Sequence, residues 1–362
     1  MTIKICTNCK SLTPGVTLGV AGVFFRIVRK LVETQDCHFS FFVDEENVLA
    51  YRKLFPYNYS IYALDQFEKF NQNTFDVELS PHHFQKPLTQ GLPKHIICFD
   101  FHVFDVGWKY PKNRQIKESL LNNLTNYDFV YTIFPRTETM LKHLIPNQVD
   151  TLLLDSPNIF PNDPIKHQNK TTNRTWNEIR VLYPAQLQQH KNHINLFQAI
   201  RILNDKGVSA NLYCPGSTFK SFITTNLKET LNRYKLNSHC HLLGYVNDEK
   251  LEELYSSVDV IISPSFAEGG AYLFQESLVF NKAFCSSNYE QVRMHVEKMN
   301  GHTIYFDPFS PKSIAAGIER SFTRRDELQK LNRKAKELIF SWSWETVARK
   351  VYQQFLKSLN NF

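Results

Sequence analysis

Glu268 and Glu276 bracket the run Ser263-Pro264-Ser265-Phe266-Ala267-Glu268-Gly269-Gly270-Ala271-Tyr272-Leu273-Phe274-Gln275-Glu276, which reads as a strand end, a Pro- and Gly-containing loop and a new helix. Such a turn leaves free backbone N–H groups and the positive end of a helix at the carboxyl edge of a parallel sheet, where anions and sugar hydroxyls bind well. One carboxylate in the loop and one on the helix can accept hydrogen bonds from different parts of a polyhydroxylated ligand. Taken alone, the pair reads equally as a loop charge and a helix-surface charge. A second strand-to-helix turn lies upstream, Tyr183-Pro184-Ala185-Gln186-Leu187-Gln188-Gln189-His190-Lys191-Asn192. A lysine there can neutralise a leaving diphosphate as a fixed charge in a partly dry site, without a metal. Between the two stands Leu243-Gly244-Tyr245-Val246-Asn247-Asp248-Glu249, a turn against which a base could pack.

Absent motifs narrow the chemistry. There is no G-x-G-x-x-G after the first strand, no Walker G-x-x-x-x-G-K-[ST], no G-x-S-x-G and no H-E-x-x-H, so dinucleotide oxidoreduction, P-loop chemistry, serine hydrolysis and zinc proteolysis lose support. A D-x-D metal grip is missing too. The seven cysteines are an odd number set mostly in apolar segments, which predicts reduced, buried thiols, and the lone Cys6/Cys9 pair lacks the second pair a zinc ribbon needs. The net charge of +7 is uneven: residues 1–170 hold 18 basic and 17 acidic groups, the remainder 24 and 18. A mildly basic second half suits a phosphorylated small molecule or an anionic membrane surface, not nucleic acid.

The elements that must position these residues alternate. An apolar strand at 3–7 leads through Pro14, Gly15, Gly19 and Gly22 into a helix with Val23, Phe24, Ile27, Val28, Leu31 and Val32 on one face. Short apolar runs at 39–43, 95–99 and 129–133 read as buried parallel strands. A Pro-, Asn- and Lys-rich stretch at 155–177 reads as a linker. A second series follows, with strands near 179–185, 208–214, 239–242, 258–263 and 283–286 and helices near 194–203, 249–256 and 272–280. The chain length of 362 residues fits two α/β units, each doubly wound. A basic amphipathic stretch at 320–336 precedes Ser343, a helix cap with Glu345 at the positive end, and a last helix to about 359. The start of the chain shows no signal-peptide pattern, and the apolar stretch 16–25 stops at Arg26, short of the ~18 residues a membrane span needs, so a cytoplasmic protein is expected.

In this order the segments resemble the family-4 glycosyltransferases of the GT-B fold. The Y-P-x-Q-x-x-x-H-K-N stretch, the G-Y-V turn with Leu254-Tyr255, the E-x7-E pair, Tyr305-Phe306-Asp307-Pro308 with Ile314-Ala315, and the Ser343-Trp344 helix carry the resemblance over the second half. The first half is similar only through the Gly19 to Gly22 turn, Phe75-Asp76-Val77 with Ser80-Pro81-His82, and Phe99-Asp100-Phe101-His102. The resemblance implies two Rossmann-like domains, 1–170 on the acceptor side and 171–340 for the nucleotide sugar, facing across a cleft, with 341–362 packing back on the first. It implies retaining, metal-independent transfer of a sugar from a nucleotide diphosphate to a glycan or lipid-linked acceptor, with no cofactor.

Carried over by position, Lys191 would hold the diphosphate, Glu268 with the Gly269, Gly270 and Ala271 turn would grip the donor sugar, Glu276 would accept the ribose hydroxyls, and Val246 would meet the base. Gly19 and Gly22 would approach the phosphates. Gln186 stands where the family usually has an arginine, and Asp100 with His102 stands where it has a His-Asp pair, so these two are the candidates to orient the acceptor. The Ala267-Glu268-Gly269-Gly270 loop leans towards GDP-linked mannose or a deoxyhexose. Peripheral attachment to a membrane is expected from the basic stretch. A catalytically silent scaffold that binds a glycan or partner, and a nucleotide-sugar epimerase, are the alternatives.

Overall fold

The computed structural model describes residues 2–10, 12, 19–55, 59–71, 74–99, 113–145, 150–155, 157, 178–217 and 221–361. The chain divides into two units, 1–159 with 341–362, and 160–340.

The first unit is a parallel seven-stranded sheet in the order β3-β2-β1-β4-β5-β6-β7. Its strands are β1 (Ile3–Asn8), β2 (Cys37–Val43), β3 (Tyr59–Ala63), β4 (Val77–Ser80), β5 (Lys94–Cys98), β6 (Phe129–Thr132) and β7 (Asp150–Leu153). Its helices include α1 (Gly19–Thr34), α2 (Val48–Leu54), α3 (Asn113–Leu124) and α4 (Pro135–Leu144). Successive β2 residues serve opposite faces, as a period of two requires. Phe41 packs with Phe25, Tyr51, Phe55 and Tyr59, whereas Phe42 packs with Tyr62, Phe67, Phe70 and Phe75.

The second unit is a parallel six-stranded sheet, β10-β9-β8-β11-β12-β13. Its strands are β8 (Glu178–Leu182), β9 (Ser209–Pro215), β10 (Cys240–Gly244), β11 (Val260–Ser263), β12 (Ala283–Ser287) and β13 (Ile304–Phe306). The helices between them are α5 (His193–Asp205), α6 (Ser221–Arg233), α7 (Asp248–Ser257), α8 (Tyr272–Val279) and α9 (Glu290–Lys298), followed by α10 (Pro311–Thr323), α11 (Arg325–Leu331) and α12 (Arg333–Ser341). Counted from its own first strand the order is 3-2-1-4-5-6, the Rossmann arrangement. The expectation of two doubly wound α/β units holds. Each sheet reverses direction where its first and fourth strands pair, β1 with β4 and β8 with β11, which is where ligands of such sheets bind.

The last helix, α13 (Trp344–Asn361), belongs to the first unit and contacts α1, as expected. Ser343 caps it by accepting the Thr346 amide (3.1 Å). His95 pins it from the sheet. Its Nδ1 meets the Tyr131 hydroxyl at 2.9 Å and its Nε2 the Ser358 hydroxyl at 3.0 Å, and burial lowers its pKa to about 3. That imidazole is a neutral two-sided hydrogen-bonding group.

Four strands escape the sequence patterns: β3, β4, β7 and β13. β7 is a half-exposed edge, so it lacks the solid apolar run of a central strand. The basic stretch 320–336 is three helical pieces, not one. Asn332 ends α11, and its side chain pairs with both the amide and the carbonyl of His302, at 2.7 and 2.8 Å, a tertiary contact that no local propensity encodes. Part of that charge is neutralised at home, Arg324 forking onto Glu327 and Arg333 facing Glu337. All seven cysteines are buried and unpaired. Among the described residues no helix is long and apolar enough to cross a membrane.

Candidate functional site

The two turns singled out by residue type leave neighbouring strands, β8 and β11, at the reversal point of the second sheet. Beyond β8 the chain makes a short 3-10 turn, Gln189–Lys191, and Asn192 then enters the left-handed region at φ 60° before α5 begins. An asparagine tolerates that conformation because its short side chain finds local and tertiary acceptors. Here Nδ2 donates to the carbonyls of Pro264 (2.9 Å) and Pro308 (2.8 Å). Asn192 thus ties the β8 loop to the loops after β11 and β13.

Replacing Asn192 by alanine leaves the Pro264 carbonyl unpaired, takes one of two donors from the Pro308 carbonyl, which keeps Asn195 Nδ2 at 3.0 Å, and keeps a β-carbon in a left-handed backbone, a loss expected at about 2 kcal/mol of unfolding free energy. Asn192→Gly relieves only the backbone part and is expected to recover about 1 kcal/mol of it. Urea titration of both variants measures the difference.

The bracket brings Lys191 onto Glu268, with Nζ 2.6 Å from Oε1. Both side chains are largely covered, 19% and 23% exposed. The same oxygen accepts the Ser265 hydroxyl at 2.5 Å, and Ser265 in turn lies 2.9 Å from the Tyr183 hydroxyl. Tyr183 also meets the Lys191 carbonyl at 3.0 Å. Burial would raise the Glu268 pKa, but Lys191 and His190 as cations and the Lys191 and Ser265 hydrogen bonds together hold it below the ordinary carboxylate value. An ionised carboxylate therefore faces an ammonium at the sheet edge.

The next residues present backbone. Among the described residues the Gly269 and Gly270 amides have no hydrogen-bond partner, and they stand just before α8. The Ala271 amide differs from the expectation for that turn, because it is already given to His295 Nδ1 at 2.8 Å. Glu276 is not a surface charge. It is 8% exposed on α8 and takes a hydrogen bond from the Tyr255 hydroxyl of α7. Burial pushes its carboxyl up to about 7, with the Tyr255 hydrogen bond pulling the other way.

A carboxyl whose folded pKa lies above its unfolded value adds stability that is complete below about pH 4.3 and is lost as pH rises through about 7. From pH 5 to pH 8 the wild type is expected to lose on the order of 2 kcal/mol that Glu276→Gln keeps. Denaturant titrations at the two pH values test it.

Other candidates are less engaged. Gln186 is exposed, its side chain accepting from Gln188 Nε2 at 2.8 Å. Val246 is half-buried just past β10, beside Tyr245 at 73% exposure. Gly19 and Gly22 open α1 in the first unit, Gly22 offering its carbonyl to Arg26 at 3.0 Å. Asp100 and His102 lie outside the described residues, although Phe99 just before them is buried at the end of β5. Among the described residues no cluster of His, Cys, Asp and Glu is arranged to hold a metal.

Four residues of this site carry no role in the sequence reading: Tyr183 and Asn192, although they stand in the Y-P-x-Q-x-x-x-H-K-N stretch, Ser265, and Gly216. A hydroxyl or amide at the carboxyl end of a buried strand was the available signal. Gly216 closes β9 at φ +148°, and a β-carbon there would fall 1.9 Å from the Ala185 carbonyl oxygen. That carbonyl belongs to the loop that carries Lys191.

Known proteins share part of this chain's sequence and its fold. Residues 165–338 match the family described as glycosyl transferases group 1. An uncharacterized glycosyltransferase of Methanocaldococcus jannaschii is 28% identical over 108 residues, 30% of this chain and 27% of that protein, so the match spans about a quarter of the relative's length. The fold is shared with a sucrose-phosphate synthase of Thermosynechococcus elongatus, at TM-score 0.76 and 13% identity over 99% of this chain and 100% of that one. It is shared as well with Anabaena HepE, solved with UDP and glucose, at TM-score 0.70 and 13% identity over 97% and 99%. The two Rossmann-like sheets are those of the GT-B fold, and residues 165–338, which include the strands and turns that carry the Lys191–Glu268 pair, match the group 1 glycosyl transferases, enzymes that depend on a nucleotide sugar.

Proposed function

We propose that the protein is a retaining glycosyltransferase that moves a sugar from a nucleoside diphosphate to a glycan or lipid-linked acceptor hydroxyl. The observation that carries the reading is the convergence of Lys191 and Glu268, 77 positions apart, beside two open amides at the start of α8. Lys191 neutralises the leaving diphosphate, Glu268 with the Gly269 and Gly270 amides holds the donor sugar, and Glu276 accepts the ribose hydroxyls, with Val246 against the base. Fixed charges at the leaving group and same-face attack through an oxocarbenium-like state need no protein nucleophile and no metal. Ala271 contributes through its place in the turn, its amide being engaged by His295. Gly19 and Gly22 serve the donor phosphates, Gln186 lies along the same loop as Lys191, and Asp100 and His102 orient the acceptor.

The Ala267-Glu268-Gly269-Gly270 loop favours a GDP-linked mannose or deoxyhexose, whereas the Anabaena structure holds UDP. Thermal-shift titration with UDP, GDP, ADP and dTDP separates these, since a bound ligand raises apparent stability as ln(1 + [L]/Kd). Slow hydrolysis of the matching sugar nucleotide then separates the enzyme from the second reading, a silent scaffold that Gln186 in place of an arginine suggests. No response to any of the four nucleotides would overturn the proposal. Attachment to an anionic membrane through residues 320–336 is a further part of it, tested by sedimentation with anionic vesicles at low and high salt.

A further inference from the structure

The side chain proposed to hold the diphosphate is already held by the side chain proposed to hold the sugar. Lys191 Nζ sits 2.6 Å from Glu268 Oε1, and Ser265 donates to that same oxygen at 2.5 Å. Ser265 spends its only hydroxyl hydrogen on Glu268, so the Tyr183 hydrogen is shared between Ser265 and the Lys191 carbonyl. Tyr183 and Ser265 are 1% and 0% exposed and cannot turn away. They hold the carboxylate in the reach of the ammonium. Among the described residues Oε2 of Glu268 has no hydrogen-bond partner.

Resting on the reading above, we propose that Glu268 sets the preference of this site for the intact sugar nucleotide over the spent nucleoside diphosphate, by competing with phosphate for Lys191. A nucleoside diphosphate arriving alone must take the ammonium from Glu268 and leave a largely covered carboxylate with Ser265 as its one donor, a costly state. The intact donor compensates, because a sugar hydroxyl donates to the carboxylate as the phosphate takes the ammonium. Once the sugar has left, the carboxylate draws Lys191 back and weakens the grip on the product. A ligand shifts such an equilibrium only by its differential affinity for the two arrangements. The diphosphate and the sugar therefore act on one exchange.

The test is isothermal titration of UDP and GDP into wild type, Glu268→Gln and Lys191→Ala, each checked for cooperative melting. Glu268→Ala takes the place of Glu268→Gln if the latter does not fold. Glu268→Gln keeps the shape and the Ser265 partner but removes the charge. It is expected to bind the responsive nucleotide about 10-fold tighter, about 1.4 kcal/mol, and to lower its inhibition constant as product by the same factor, while binding of the matching sugar nucleotide gains less. Unchanged or weaker nucleotide binding in Glu268→Gln, with binding lost in Lys191→Ala, overturns the competition but leaves Lys191 at the diphosphate. Wild-type binding that survives intact in Lys191→Ala overturns the placement of the diphosphate, and the competition with it.

Discussion

Lys191→Ala is expected to lower kcat/KM by about 10²- to 10³-fold, the loss that follows removal of one preorganised charge or donor from a developing anion. Gln186 is uncharged, so Lys191 is the one permanent cation in the segment 183–192. Its side chain is only 19% exposed, so its field at a leaving diphosphate is poorly screened. The substitution also strands Glu268, whose carboxyl is kept below its ordinary range in part by that ammonium. Without it the charge and the hydrogen bond of Lys191 are both gone, so the Glu268 pKa rises. Steady-state kinetics with the responsive sugar nucleotide reads the first effect. A drop in kcat at constant KM places the lysine's action in the transition state, while a rise in KM alone means it only binds the ground state. Kinetics unchanged from wild type would remove Lys191 from the reaction.

Gly216→Ala should be the most damaging single methyl in the second unit. The new carbon would lie 1.9 Å from the Ala185 oxygen and 2.6 Å from its carbonyl carbon, at a φ of +148°. Neither atom can rotate aside, because the strands are stitched together on both sides. The Ala185 amide donates to the Pro215 carbonyl (3.1 Å), the Leu187 amide to that of Ser217 (3.1 Å), and the Gly216 amide to that of Gly244 (2.7 Å). The loop from 184 to 192 must shift, and Lys191 with it. A loss of about 3–5 kcal/mol is expected from overpacking and backbone strain together. Gly207→Ala is the matched control, with a φ of +83° and nothing within 4 Å of the added carbon. It carries only the backbone penalty, about 1 kcal/mol. Comparable denaturation midpoints for the two variants would contradict the steric argument.

These two residues mark different depths of legibility. Lys191 was visible from the type of residue and its place at a strand-to-helix turn. Gly216 was not, because nothing in Cys214-Pro215-Gly216-Ser217 says which backbone lies against it. The same division runs through the fold. The helix with Val23, Phe24, Ile27, Val28, Leu31 and Val32 on one face is buried at the first five of those positions and half-buried at Val32, and β6 and β11 are buried throughout, as is β5 beyond Lys94. Edge strand β7, with its half-exposed residues, carried no such pattern.

By itself the amino-acid sequence determined two doubly wound α/β units, the turns at which chemistry could occur, and the charges available there. These follow from periodicity and turn composition, which act over a few neighbouring residues and are written locally. Only the tertiary structure decided which side chains meet. It placed Ser265 between Tyr183 and Glu268, sank Glu276 against Tyr255, spent the Ala271 amide on His295, and hung two loops on Asn192. The Tyr183–Ser265 contact spans 82 positions and Asn192–Pro308 spans 116. Such pairs are made by parallel strands that return to one edge of a sheet after each crossover. The distance between their carboxyl ends is a property of strand order, and strand order is settled by how whole helices and strands bury their apolar faces against one another.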